Sequence, residues 1–298
     1  MADELLEMQA NPDLKSSFGQ SPLILALYRD LDLFEKIILY GGDVHCCGPD
    51  KKPLLHLVME TADQKVKLDF IKLKALDLNQ KDKDGKTAFF QACDRLDKET
   101  MLLLKQWGAD LNSVDSSGIS PLMNLLIKNE TLEAQNLALW GADIDCVDHD
   151  GKTPLIRAII DKDKFSIDFW LKSGASKRVC DFQRKSTLMY LLESGLYDYI
   201  DNAFFDDDIL RHRDQEGGNI LHFLSGLDQL ELARKFLEKC PDLINQTDHF
   251  KATPLKVALM RKNLGIAELF CEYGAYEATI DLEGNNLLHL AVKKKDRD

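Results

Sequence analysis

The residues of this chain best suited to chemistry are its histidines, cysteines and acids, and their spacing decides what they can do. His45-Cys46-Cys47 places three metal-binding residue types in succession. Structural zinc takes four ligands, usually as two spaced pairs, and no second pair stands at such a spacing. We expect no metal there. His56, His222 and His289 lie far apart in the chain. No Gly-rich phosphate loop, Gly-x-Ser-x-Gly elbow or His-Glu-x-x-His helix occurs. The sequence therefore predicts no catalytic residue and no cofactor. Asp206, Asp207 and Asp208 form a block of three consecutive acids, whose meaning depends on the element that carries it.

The elements follow from a repeat. Residues 107–122, Trp-Gly-Ala-Asp-Leu-Asn-Ser-Val-Asp-Ser-Ser-Gly-Ile-Ser-Pro-Leu, return 33 positions later at 140–155 as Trp-Gly-Ala-Asp-Ile-Asp-Cys-Val-Asp-His-Asp-Gly-Lys-Thr-Pro-Leu. A unit this short cannot bury a core alone and must stack on its neighbours. The phrase resembles the ankyrin repeat, with its Asp-x-x-Gly-x-Thr-Pro-Leu-His-x-Ala pattern followed by Leu-Leu-x-x-Gly-Ala-Asp-x-Asn. Aligning on the Thr of that pattern gives Ser21, Pro53, Thr87, Ser120, Thr153, Ser186, Asn219, Thr253 and Asn286, at intervals of 32, 34, 33, 33, 33, 33, 34 and 33.

The resemblance implies an all-α solenoid of stacked helix-turn-helix repeats with β-turn fingers, forming one domain over 1–298. A partial repeat covers 1–15, and repeats start near 16, 48, 82, 115, 148, 181, 214, 248 and 281, the last incomplete. In the fifth repeat, Thr153 should cap a first helix that begins at Pro154. After a turn at 161–163, Phe165, Ile167, Phe169, Trp170 and Leu171 should pack a second helix on both sides, with Gly174 ending it. Gly41, Gly108, Gly141 and Gly274 recur at that place. The half-repeats at the two ends fit either natural caps or a piece of a longer repeat protein; we favour the second, because the first helix is lost in mid-motif. The resemblance also makes His56, His222 and His289 ties between neighbouring repeats. Cys93 and Cys271 fall at core positions.

The sixth repeat departs most from the pattern. Asp206, Asp207 and Asp208 replace Gly-Ala-Asp near the end of its second helix, where they would oppose the helix dipole. They read either as an acidic contact or hinge, or, where the helix stops earlier near Asn202, as a solvated loop partly neutralised by Arg211 and Arg213. Lys51, Arg184 and Lys251 stand where other fingers have Gly, so those turns are expected to change type.

The family binds partners through finger tips and the exposed side of the first helices. By register, Phe18, Ile119, Phe182 and Phe250 stand on fingers without a core task. Tyr28, Ile127, Ile160, Leu227 and Met260 stand on the first-helix surface beside Arg29, Arg95 and Arg261. Aromatic and Arg side chains are the types enriched at binding hot spots. The expected function is a non-enzymatic scaffold that holds a segment of another protein in its concave groove, with Phe182 and Phe250 as anchors. The alternative is a recruiting segment of a larger protein, either a multidomain eukaryotic protein or a secreted bacterial effector, whose activity lies elsewhere. A second row, Tyr40, Trp107, Trp140 and Tyr273, is read first as packing.

The whole-chain numbers narrow the partner. With 38 basic against 50 acidic residues, the formal charge of −12 opposes nucleic acid. Seven cysteines without a framework spacing, and a start lacking a basic, apolar leader, predict a reduced, cytoplasmic protein, or one in a host cytosol if secreted. No apolar run is long enough to span a membrane. A monomer is expected.

Overall fold

The residues in the Thr position are where the first helices begin. Ser21, Thr87, Ser120, Thr153, Ser186, Asn219 and Thr253 each accept, through a side-chain oxygen, the backbone N–H three residues on. All seven are buried, so each cap satisfies a donor that water does not reach. Pro22, Pro121, Pro154 and Pro254 follow four of them, where a missing N–H costs nothing.

The computed structural model describes residues 2–17, 20–48, 51–61, 64–71, 76–200 and 204–276. The chain divides into two compact halves, Met1–His149 and Asp150–Asp298. The first half contains α1 Ala2–Glu7, α2 Pro22–Leu27, α3 Leu31–Leu39, α4 Leu54–Thr61, α5 Gln64–Ile71, α6 Ala88–Asp94, α7 Lys98–Gln106, α8 Pro121–Ile127 and α9 Thr131–Leu139. The second contains α10 Pro154–Ile160, α11 Lys164–Lys172, α12 Thr187–Ser194, α13 Asp207–Leu210, α14 Ile220–Leu224, α15 Leu230–Lys239, α16 Pro254–Met260 and α17 Leu264–Glu272. No strand occurs among the described residues; single antiparallel bridges, Cys47 with Pro53 and Cys180 with Ser186, close two of the fingers.

Within each half, a first helix packs on its own second helix and on the next first helix. Thus α6 lies on α7 and α8 in the first half, and α14 lies on α15 and α16 in the second. This is the ankyrin-type stack. Phe89, Phe90, Met123 and Leu125 are fully buried in one half, and Ile156, Trp170, Leu221, Phe236 and Phe270 in the other. Each such side chain contributes about 1.5–3 kcal/mol by leaving water. Gly41, Gly108, Gly141, Gly174 and Gly274 take φ of 89°, 87°, 99°, 90° and 88°, the left-handed conformation that ends a helix.

Three expectations are corrected. Phe165 does not pack: it is 88% exposed, while Ile167 and Trp170 on the same helix are fully buried, because with 3.6 residues per turn five apolar positions in seven cannot all face inward. Cys93 is buried as expected, but Cys271 is exposed. Lys51, Arg184 and Lys251 do not change the turn. They take φ of 60°, 61° and 55°, beside 75° at Gly85 and 84° at Gly151. The hydrogen bonds of the finger hold them in a region that disfavours a Cβ.

Candidate functional site

Five of the fingers are shaped by an aspartate at the base. One carboxylate oxygen of Asp82 accepts the N–H groups of Asp84 and Lys86, both at 2.9 Å. Asp115, Asp181, Asp214 and Asp248 do the same for the residues two and four places on. Neighbouring fingers are then joined backbone to backbone. The Ser116 N–H donates to the Asp84 carbonyl at 2.9 Å in the first half. In the second half Phe182 donates to Asp150 at 2.9 Å, Gln215 to Gln183 at 3.2 Å and His249 to Glu216 at 2.8 Å. Within each half these fingers are therefore tied to one another, which lowers the ordering cost of any contact made on them.

At the foot of the fingers runs a ladder of charges. Lys52, beside its finger, pairs with Glu60 at the end of α4, at 2.5 Å, and Glu60 also pairs with Arg95 of the next repeat. One repeat on, Lys86 pairs with Asp94 at 2.5 Å, and Lys128 and Asn124 reach the same carboxylate at 2.5 and 2.6 Å. Burial pushes both carboxyls up, but the hydrogen bonds of these cations outweigh it and hold Glu60 and Asp94 below the usual carboxylate range. In the second half Lys185 pairs with Glu193 at the corresponding place. The ladder was legible as an acid seven residues after the capping position and a cation eight after it, a pattern the sequence reading did not look for.

This register locates the proposed binding residues. In the first half, Phe18 lies outside the described residues. Tyr28, Arg29 and Ile127 are exposed, and Arg95 is exposed but paired with Glu60. Ile119 is corrected: it is 5% exposed, its N–H bound by Asp115 and its side chain turned under the finger, as is Ala252 at the same position. It is not a surface residue.

In the second half, Phe182 and Phe250 are 71% and 55% exposed on their fingers. Ile160 and Met260, 42% and 54% exposed, occupy the ladder's acid position, which faces the fingers. Leu227 is half-buried and Arg261 is exposed. Arg261 lies against Gly226, where a Cβ would come within 1.9 Å of its Nη1. Leu227, Phe223, Val257 and Arg261 line a cleft of about 300 Å³ whose mouth carries Glu193, Asp214, Glu216 and Asp248.

The acidic block also needs correction. Asp206, Asp207 and Asp208 do not end a helix. Asp206 caps α13, accepting the Asp208 N–H, and the other two occupy its first turn, so the dipole favours them. Arg178 pairs with two of them, reaching Asp206 at 2.5 Å and Asp208 at 3.5 Å. Arg211 is engaged with Asp242 at 2.5 Å, and Arg213 donates to the carbonyls of Gly217 and Thr247.

The histidines tie repeats as the resemblance implies. His56 Nε2 meets the Gln80 carbonyl at 2.9 Å and His222 Nε2 the Ala252 carbonyl at 3.0 Å; His289 lies outside the described residues. At His45-Cys46-Cys47, His45 Nδ1 takes a hydrogen bond from the Gln80 amide, and the buried Cys46 meets Ser21 Oγ at 3.5 Å. Burial pushes the Cys46 thiol up, which makes it a poorer ligand. Tyr40, Trp107, Trp140 and Tyr273 each stand at the C-cap of a second helix. Lys105 covers the Trp140 ring at 5.0 Å, and Arg234 covers Tyr273 at 5.9 Å. No described helix is long and apolar enough to cross a membrane.

No protein-family profile matches the chain. Among known proteins it is similar to the nuclear factor NF-kappa-B p105 subunit of Gallus gallus, 33% identical over 89 residues. That match takes in 28% of this chain and 9% of the relative's length. The matched stretch is thus a small part of both proteins.

Proposed function

We propose that this chain is a non-enzymatic interaction module, and that its second half holds a segment of another protein against its fingers and first-helix ends. The observation that carries the reading is the row of tied fingers that presents Phe182 and Phe250 outward, with Ile160, Met260 and Arg261 at the helix ends. Large apolar side chains on a preorganised frame, bordered by charge, are the makings of a binding hot spot. The relative's designation as a subunit accords with a protein that works in complexes. The net charge of −12 favours a protein over a nucleic acid. Catalysis forms no part of this reading: around the cleft, Glu193 is taken by Lys185, and Asp214 and Asp248 by finger N–H groups.

The test is affinity capture with the full chain, followed by titration of the captured partner. Phe182→Ala with Phe250→Ala should weaken binding at least tenfold, since each anchor is expected to supply about 1–2 kcal/mol. Unchanged affinity would remove both residues from the site.

A further inference from the structure

The second oxygen of the finger aspartates distinguishes one repeat from another. In the third repeat Gln91, four residues after the cap, donates its amide to Asp82 Oδ2 at 2.5 Å. In the sixth, the Tyr190 hydroxyl at the same position donates to Asp181 Oδ2 at 2.6 Å. The seventh and eighth repeats carry Phe223 and Val257 there, side chains without a donor. Asp214 and Asp248 each hold the finger N–H groups through one oxygen, and among the described residues nothing donates to the other. These four residues come together in the cleft of about 300 Å³ in the second half.

The cleft therefore combines two chemistries. Phe223, Leu227 and Val257 give it apolar walls, while Asp214 and Glu216 from the seventh finger and Asp248 from the eighth set carboxylates at its mouth. Lys185 takes Glu193, but Asp214, Glu216 and Asp248 form no ion pair with a described residue. Arg261 is the cation on the lining, and its guanidinium lies against Gly226, so acids outnumber it. An acidic mouth over apolar walls suits a side chain with an aliphatic stem and a charged head, and the volume, at the small end of ligand pockets, suits one such side chain. We propose that the cleft takes a single arginine or lysine side chain of the bound segment, its stem on Phe223, Leu227 and Val257 and its head on the open oxygens of Asp214 and Asp248. This assignment rests on the reading of the second half as a surface that holds a segment, and it names the residue type that the segment brings. The net charge of −12 acts in the same direction by drawing basic segments. A metal ion is a poor occupant, because half of the lining is carbon and no group of three metal-binding side chains converges among the described residues.

A positional-scanning library of short peptides, with each position fixed in turn, serves as the probe against the full chain. The wild type should select Arg or Lys at one position, and replacing that residue with Gln in the best peptide should weaken binding about tenfold. Val257→Gln supplies the donor that Gln91 gives in the third repeat and should remove the basic preference while apolar selection at other positions persists. Asp248→Asn, which keeps an acceptor for the finger, should do the same. Glu216→Gln, whose side chain supports nothing in the finger, should weaken binding about threefold and guards against an effect on folding. Phe182→Ala with Phe250→Ala should lower binding across the library and leave the basic preference in place. Wild-type binding that favours no basic residue, yet still falls in the Phe182/Phe250 double variant, would overturn the basic side chain and leave the binding surface standing. A basic preference unchanged by both Val257→Gln and Asp248→Asn would overturn the assignment to the cleft, and a library that does not bind at all would overturn both readings.

Discussion

Phe182 lies across Gly151. Its ring and backbone N–H sit so close to the glycine that a Cβ there would come within 2.6 Å of Phe182 Cδ1 and 2.7 Å of Phe182 N. The ring is nevertheless 71% exposed, so it both covers the preceding finger and presents a face outward. One contact therefore serves two purposes, closing the finger row and fixing the direction of a binding side chain.

Gly151→Ala tests the first purpose. The residue has φ of 84° and meets the backbone of its neighbour, whereas Gly118 has φ of 80° and nothing within 4 Å of a built Cβ. Gly118→Ala should cost about 0.5 kcal/mol, the left-handed strain less the entropy that a glycine loses on folding, and Gly151→Ala about 1.5 kcal/mol or more. Urea unfolding of the two variants measures the difference. Equal losses would mean that the finger contact adds nothing.

The same strain predicts a gain elsewhere. Arg184 holds φ of 61° where other fingers have glycine. Arg184→Gly removes about 1–2 kcal/mol of left-handed strain and adds about 0.5–1 kcal/mol of unfolded-state entropy cost. The net should be a stabilisation of about 0.5 kcal/mol, read as a higher urea midpoint with an unchanged slope.

What the sequence could disclose was whatever the stack requires in every repeat. Caps such as Thr153, terminators such as Gly174 and ties such as His222 recur at fixed places because each solves the same local problem. Ile119 was misplaced because register says which position a residue holds, and one position beside a cap can point up the finger or under it. Asp206 was misread because both readings, a helix that ends at the acids and a solvated loop after an earlier stop, left out a helix that starts there. In fact α12 ends at Gly195, a 3-10 turn follows at Tyr197–Tyr199, and the acids open a helix rather than close one. That reverses the sign of the dipole argument; the signal lay in an Asp followed by two acids, the residue types favoured where a helix starts. The charge ladder spans two repeats, so reading single repeats hides it.

Asp94 makes the ladder testable. Held by Lys86, Lys128 and Asn124, its carboxyl sits below its ordinary value in the folded chain. Its contribution is therefore fully present above the unfolded pKa of about 4 and is lost as pH falls through the lower folded value. Asp94→Ala should destabilise the chain by about 1 kcal/mol at pH 7. Urea unfolding near pH 2–3 should show the variant and the wild type converging; a gap that persists in acid would mean that packing, not charge, is what the substitution removes.

His222 adds a second loss on acidification, in a higher pH window. Burial lowers its pKa below the usual histidine value, against the hydrogen bond to the Ala252 carbonyl, which raises it. Nδ1 lies beside Asn219, 3.2 Å from its backbone nitrogen and 2.8 Å from its Oδ1, while Nε2 faces that carbonyl. The unfolded chain binds a proton more readily than the folded one in the window between the lowered pKa and about 6.5. Stability should thus be intact above pH 7 and decline as pH drops through that window. His56, whose pKa is also lowered first by burial, adds to the same slope. Urea midpoints between pH 7.5 and 5.5 should fall for the wild type, and His222→Gln, which keeps a donor without a titrating group, should flatten part of that decline at some cost in stability. An identical slope in the variant would show that His222 is not protonated differently in the folded and unfolded states.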